Sequence, residues 1–409
     1  MDLDPNRKIG AQKSSYLVKV KTSINLETSF SEYANNFYRA AHEIAFSILK
    51  ADNSDFSKLD TYFFSLAFLY RHSLELLLKA IAFQHIKDKA ERVDFVKDTF
   101  HDLAQILERI LQLNDTARPK NEIGWLTTYF RDFSKYDKES DSFRYPFHIK
   151  RYKKKSGDTK YSIERIFNEQ THIDLLKFAK KFESAYEILS LWFNGEEQSA
   201  IKWILLKPVF IETGGDYYTQ AVVGRGYLKR EFYPYVRAYT ETAEYLRYSM
   251  TEAQDKGNTA LAEIYFFPMC YLYRNAVELT IKATWFEEVR EDFQERCKIL
   301  NKKKHSINGL WYKLRGWIED FYEDGDGAKE YFDDIGKCCE EIQGFDSDAS
   351  KFRYPCDKSM NNYFKKDIKF DYMNIAELME SLIQSINGID SELSFRNEYL
   401  DEAETEFWR

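Results

Sequence analysis

Glycine and proline are scarce in this chain, with 16 and 7 among 409 residues. So few breakers leave little room for long loops or low-complexity linkers, and long helices are the natural reading. No run approaches the ~20 apolar residues of a membrane span; Thr61 to Tyr70 is uncharged but stops at Arg71. The polar stretch Met1 to Ser15 has no apolar segment of the kind a signal peptide needs. Positive charge is not in excess: the net charge is −8, which excludes nucleic-acid binding through the whole surface and leaves only a local basic patch for that task. The five cysteines all lie in the second half, so they form no framework shared by both halves and read as reduced, cytoplasmic thiols. The Cys338-Cys339 pair reads as two small apolar helix residues, with a redox or metal feature as the alternative. No glycine-rich phosphate loop, kinase or hydrolase signature, or His/Cys metal set is present. No cofactor is expected.

What the chain does have is a repeat. Tyr62-Phe63-Phe64, Leu69-Tyr70-Arg71, Glu75-Leu76 and Lys79-Ala80 recur as Tyr265-Phe266-Phe267, Leu272-Tyr273-Arg274, Glu278-Leu279 and Lys282-Ala283, at a constant offset of 203 positions. A second block, Phe143-Arg144-Tyr145-Pro146, recurs as Phe352-Arg353-Tyr354-Pro355. Two blocks in one order indicate an internal duplication, and the length suffices for two domains with separate cores.

Coarse patterning places a short strand at Tyr16–Val20. An amphipathic helix with Phe37, Ala41, Ile44, Ala45 and Ile48 on one face follows, then a long helix from Leu59 to Ile86, apolar almost all round and therefore central. Further helices are expected from His101 to Leu113, Asn121 to Phe133 and Ile173 to Phe193. Lys150 to Lys160 reads as a basic loop. The second module mirrors the first with helices at Tyr235–Glu252, Ala260–Val289, His305–Tyr322, Ala328–Ile342 and Phe370–Ile389. Between the modules, Val209-Phe210-Ile211, the Gly214-Gly215 turn, Tyr217–Val223 and Gly224-Arg225-Gly226 read as a β-hairpin or an ordered linker. The expected organisation is an N-terminal segment (1–27), module 1 (28–197), a linker (198–229), module 2 (230–391) and an acidic tail (392–409).

Arg71, Glu75 and Lys79 share one helical face, as do Arg274, Glu278 and Lys282. On a mostly buried helix such charges must be paired, either tying the helix to its neighbours or forming a polar pocket. His101 and His305 each start the next helix, and either bond the preceding loop or face the arginine. Arg144 and Arg353 precede Tyr145 and Tyr354, which the following proline holds extended. The arginines are therefore expected on display, with Asp137 and Asp346 nearby. They read either as phosphate forks or as structural residues capping a helix or pairing with the loop Asp.

Glu-Leu-x-x-Lys-Ala on a long helix, His101-Asp102-Leu103 opening the next, and Arg144-Tyr145-Pro146 before a final helix together resemble the HEPN superfamily. The second module matches at Glu278-Leu279, Lys282-Ala283, His305 and Arg353-Tyr354-Pro355, with Ser306-Ile307 replacing Asp-Leu. The resemblance implies an all-α chain of two duplicated HEPN-like bundles, packed as an internal pseudo-dimer. It also implies a role in prokaryotic defence or toxin–antitoxin systems. Many HEPN proteins are metal-independent ribonucleases, with an Arg four to six residues from a His; others bind nucleotides or RNA, or assemble complexes. In this chain Arg144 and His148 have three residues between them, Arg353 has Asp357 in that place, and Arg165 and His172 have six between them. The leading expectation is a non-catalytic protein binding a nucleotide, RNA or a protein partner through Arg71, Glu75, His101, Arg144, Tyr145 and their second-module counterparts. The rivals are a ribonuclease using Arg144 with His148 or Arg165 with His172, and a scaffolding subunit. A homo-oligomer is left open.

Overall fold

The computed structural model describes residues 3–21, 25–50, 55–113, 118–155, 157–196, 203–224, 230–321 and 327–407. Met1, Arg225, Gly226 and Tyr322, named above, lie outside them. The chain is mostly helical, with thirteen α-helices and six short strands among the described residues.

In the first half the order is β1 (Leu17–Val20), α1 (Leu26–Leu49), α2 (Ser57–Thr61), α3 (Phe63–His85), α4 (Lys89–Thr99), α5 (Leu103–Leu113), α6 (Lys120–Phe133), β2 (Phe147–Lys153), β3 (Thr159–Arg165), β4 (Thr171–Asp174) and α7 (Leu175–Asn194). In the second it is β5 (Gln220–Val223), α8 (Tyr233–Asp255), α9 (Ala260–Ala283), α10 (Phe293–Lys303), α11 (Ile307–Ile318), α12 (Ala328–Phe345), β6 (Ile368–Asp371) and α13 (Tyr372–Phe407). The backbone repeats in detail as well. Phe100 and Lys304, which end α4 and α10, share a positive φ (46° and 49°), and so do Ser140 and Ala349 in the loops before the two Arg-Tyr-Pro segments (62° and 58°). Positive φ is costly for non-glycine residues, so each matched pair marks the same kind of tight local turn at the corresponding place in the two halves.

The central helices explain themselves. In α3 every side chain from Phe63 to Phe83 is buried, and in α9 every one from Tyr265 to Ala283. A helix apolar on all sides can be satisfied only by neighbours on all sides, and each fully buried large side chain contributes about 1.5–3 kcal/mol. The neighbours come from both halves: α1 packs on α3 and on α9, and α8 packs on α9 and on α3. The face expected for α1, from Phe37 through Ile48, is buried as its periodicity requires.

The strands cross between the halves. β1, before α1, pairs antiparallel with β6, which leads into α13. β5, before α8, pairs antiparallel with β4, which leads into α7. This replaces the hairpin expected within the linker. Val209–Ile211 forms no strand; the chain just after it meets β4 instead, through the Ile173–Thr213 bridge and the Asp174 amide on the Glu212 carbonyl at 2.9 Å. Lys150–Lys160, expected as a loop, lies in the β2–β3 hairpin. Its inner end carries Phe147, Ile149 and Ile163 against the core, which outweighs the coil preference of the lysine run.

Both end segments are held against the second half. The Lys13 and Ser14 amides donate to Asp371 and the Ile9 amide to Glu341, so the first residues cover the second half. The acidic stretch after Glu392 continues α13 as helix, held by Arg290 on Asp401 and by Asn397 on Glu288. No described helix is long and apolar enough to cross a membrane.

Candidate functional site: two crossed polar clusters and a cleft between the halves

The four-residue spacing of α3 brings Arg71, Glu75 and Lys79 onto one face, and burial forces them together. The Lys79 ammonium lies 2.6 Å from Glu75 and the Arg71 guanidinium bonds the same carboxylate. Arg71 Nε also donates to Asp137 at 3.1 Å, and its other arm reaches the His101 carbonyl. His101 Nδ1 lies 2.9 Å from Glu75. The last partner comes from the other half: the Tyr354 hydroxyl donates to Glu75 at 2.8 Å.

The second cluster repeats the first. Glu278 accepts from Lys282 at 2.7 Å, from Arg274, and from His305 Nδ1 at 3.1 Å. Arg274 also donates to the His305 carbonyl at 2.7 Å. The Tyr145 hydroxyl crosses from the first half and donates to Glu278 at 2.7 Å. Each half's Arg-Tyr-Pro segment thus closes the other half's cluster. The loop aspartates fix those segments: Asp137 accepts from the Asp141 and Ser142 amides, and Asp346 from those of Ser350 and Lys351.

These contacts set the electrostatics. Burial alone would push Glu75 and Glu278 up, but the neighbouring Lys, His and Arg hold both carboxyls well below the usual range. Burial lowers His101. At His305 the pull of Glu278 is outweighed by burial, with Arg144 and Lys282 adding to it, and the imidazole falls to about 4. Both histidines are therefore neutral near pH 7, each with its Nδ1 turned to a carboxylate.

Several expectations change. Arg144 and Arg353 are not displayed; they are 4% and 6% exposed. Arg144 bonds the Tyr145 hydroxyl and lies 5.0 Å from that ring, and Arg353 bonds the Ala349 carbonyl and lies 5.5 Å from Tyr271. Arg144 does not take Asp137, which is bound to Arg71. The segments form hydrogen-bonded turns, with the Arg144 and Tyr145 amides on the Asp141 carbonyl and those of Arg353 and Tyr354 on the Ser350 carbonyl, and each turn carries its arginine inward with its tyrosine. The ladders on α3 and α9 tie helices together, as the structural reading has it, and His101 and His305 face the glutamates as well as the arginines.

The nuclease candidates are dispersed. His148 bonds Asp141 at 3.2 Å, which raises its pKa, while the Arg144 guanidinium turns to Tyr145. Arg165 in β3 forks onto Glu231, and His172 in β4 bonds Gln220 at 2.7 Å. Among the described residues no cluster of three or more His, Cys, Asp or Glu side chains is placed to hold a metal, and all five cysteines are buried and unpaired.

The structure adds a site that the motifs do not mark. Beside Pro146 lies a cleft of about 380 Å³ between α2–α3 of the first half and the start of α8 in the second. Phe64 and Tyr235 form one wall, stacked at 3.9 Å, and Arg165, Arg230 and Arg237 reach it from three directions. Each arginine side chain is about 40% exposed and shared with carboxylates: Arg165 with Glu231, Arg230 with Glu288 and Asp390, Arg237 with Glu241. Gly224 closes the floor with φ +73°, where a Cβ would stand 2.3 Å from the Glu169 carbonyl. Of these arginines only Arg165 stood out in the sequence. The signal for the others was Arg230, Tyr233-Pro234 and Arg237 at the start of a helix, which carries weight only once the fold sets Arg165 opposite.

Comparison with protein-family models, curated proteins and solved structures gives no match for this chain.

Proposed function

We propose that the chain is a tandem HEPN-like protein whose copies close on each other as an internal pseudo-dimer, and that it binds a nucleotide in the cleft between them without cleaving nucleic acid. The observation that carries the binding reading is the cleft itself, which sets three part-exposed arginines around a stacked aromatic wall. A volume of about 380 Å³ falls within the ~300–1,000 Å³ of small-molecule sites. Guanidinium forks match phosphate oxygens. Exposed arginine–carboxylate pairs contribute only ~0.2–1 kcal/mol, so exchanging one for a phosphate costs little. The pseudo-dimer reading is supported by the reciprocal Tyr145–Glu278 and Tyr354–Glu75 bonds and by the exchanged strands. The HEPN resemblance supplies the setting, a prokaryotic defence system with a protein partner.

The test is calorimetric titration of the purified chain with ATP, AMP, adenosine and inorganic phosphate. Nucleotides are expected to bind in the micromolar range and at least tenfold more tightly than adenosine or phosphate, with Arg237→Ala weakening them at least tenfold at an unchanged CD spectrum. Absence of nucleotide binding at millimolar concentration, or indifference to Arg237→Ala, overturns the reading.

One observation favours the ribonuclease alternative: His148 is part-exposed and paired with Asp141, as a general base would be. Incubation with RNA in EDTA decides it. Cleavage that disappears in His148→Ala would replace the binding proposal with a nuclease.

A further inference from the structure

The β2–β3 hairpin breaks with the charge of the rest of the molecule. Residues 150–160 carry six cations, Lys150, Arg151, Lys153, Lys154, Lys155 and Lys160, against one acid, Asp158, in a chain of net charge −8. Strand pairing fixes where they point. Lys150, Tyr152 and Lys160 share a face with His148, since Tyr152 pairs with Lys160 and His148 with Glu164. The turn is closed by the Lys154 amide on the Asp158 carbonyl and the Gly157 amide on the Lys154 carbonyl, both at 2.9 Å. Arg151, Lys153, Lys154 and Lys155 are exposed and have no ion pair among the described residues; Lys150 alone is paired, with Glu164. Tyr152 is 48% exposed on the face opposite Arg151 and Lys153, next to the turn that carries Lys154 and Lys155.

This is an arm with a fixed base. Phe147 is buried against Phe232 and Phe286, and the Tyr161 amide and carbonyl bond the Gln294 side chain on α10 at 2.8 and 3.0 Å. The second half has no equivalent. After its Arg-Tyr-Pro segment the described chain makes one isolated bridge, Cys356 with Asn362. Unpaired like charges brought together on a ribbon repel one another, and among the described residues no carboxylate forms an ion pair with Arg151, Lys153, Lys154 or Lys155. A polyanion offsets that repulsion. Several cations flanking an exposed aromatic ring match a single nucleic-acid strand, with phosphates on the cations and a base on the ring.

We infer that the β2–β3 hairpin is a binding arm for single-stranded nucleic acid, the strand wrapping over its tip so that Lys154 and Lys155 at the turn and Arg151 and Lys153 on one face take phosphates while Tyr152 on the other face stacks on a base. The inference does not depend on the nucleotide cleft. It identifies the local basic patch that an acidic chain requires for this ligand.

The test uses the full chain and fluorescein-labelled 20-mers of RNA and DNA, single-stranded and duplex, in anisotropy titrations across a salt series. Single strands are expected to bind, and the RNA and DNA arms show which sugar is preferred. The triple change Lys153→Glu, Lys154→Glu and Lys155→Glu is expected to weaken binding at least tenfold. It should also reduce the slope of log K against log salt by about 2, from ~0.7 per lost contact. Tyr152→Ala is expected to weaken single-strand binding at least fivefold with the slope unchanged, while Arg237→Ala leaves it alone. None of these arm residues belongs to the core or is packed against it, so the CD melt should not move. The inference is overturned if single strands fail to bind at 50 mM salt, if the triple variant keeps the original slope, or if phosphatidylserine vesicles bind through this arm where single strands do not.

Discussion

The Tyr354 hydroxyl donates to Glu75 at 2.8 Å, joining positions separated by 279 residues of chain. Its counterpart, Tyr145 on Glu278 at 2.7 Å, runs the opposite way between the halves. Both glutamates are fully buried and already carry Arg and Lys partners. The tyrosine therefore acts as a charge-assisted latch on a network that a single half leaves incomplete.

Removing one latch hydroxyl is expected to cost about 1.5–3 kcal/mol, the range for a hydrogen bond to a charged group. Tyr354→Phe and Tyr145→Phe should lower the urea midpoint by similar amounts, and the double variant should lose about their sum, because the two hydroxyls bond different carboxylates. Midpoints that do not move would reduce the latch to an incidental contact.

Removing the carboxylate is a harsher change. Glu75→Leu strands Lys79 in the interior and leaves Arg71 with Asp137 as its one carboxylate, and breaking a buried pair in this way costs about 3–5 kcal/mol. Equilibrium unfolding should show that loss, and Glu278→Leu should match it. A loss below 1 kcal/mol in either would mean that water reaches the cluster.

Acid should weaken the fold through His305. Its folded-state pKa is about 4 against an ordinary 6.5, so between those values the unfolded chain binds more protons and stability falls as pH falls. Above about 6.5 this contribution is complete and constant. The melting temperature of the native chain should drop between pH 6.5 and 4, and His305→Gln should flatten that portion of the profile. An unchanged profile would assign the acid sensitivity to other groups.

Glu287 should act in the opposite sense. Burial raises its pKa to about 8 from an ordinary 4.5, so across that window the folded chain holds the extra proton and stability falls as pH rises. Glu287→Gln keeps a neutral acceptor for the Phe232 amide, now 2.8 Å from the carboxyl. The variant should melt higher than the native chain at pH 8 and show little difference at pH 4.5. A variant that melts lower at pH 8 would contradict this.

Much of the helical plan was legible because periodicity and breaker placement are local signals. The central helices, the strand at Leu17–Val20 and the helix after His101 stand near their expected places. The β2–β3 hairpin was missed because its run of lysines hides an alternation that matters only where Phe147 and Ile163 meet the core. The break in the long helix at Tyr62, between α2 and α3, had no sequence signal. Among site residues, the Arg, Glu and Lys ladders, both histidines and both Arg-Tyr-Pro tyrosines do come together. Arg230, Arg237 and Tyr233 escaped notice because a cleft wall is assembled from segments without a common motif.

The sequence by itself determined that two blocks repeat in order, that two long helices are apolar nearly all round, and that their charges must find partners. Those are consequences of residue identity and spacing, which act over a few helical turns. Only the tertiary structure decided that the tyrosines and first strands serve the opposite copy. Glu75 and Glu278 are chemically equivalent acceptors, and local sequence offers no preference between them. The choice falls to the packing of α1 and α8 across both central helices, which carries each Arg-Tyr-Pro segment past its own glutamate and onto the other.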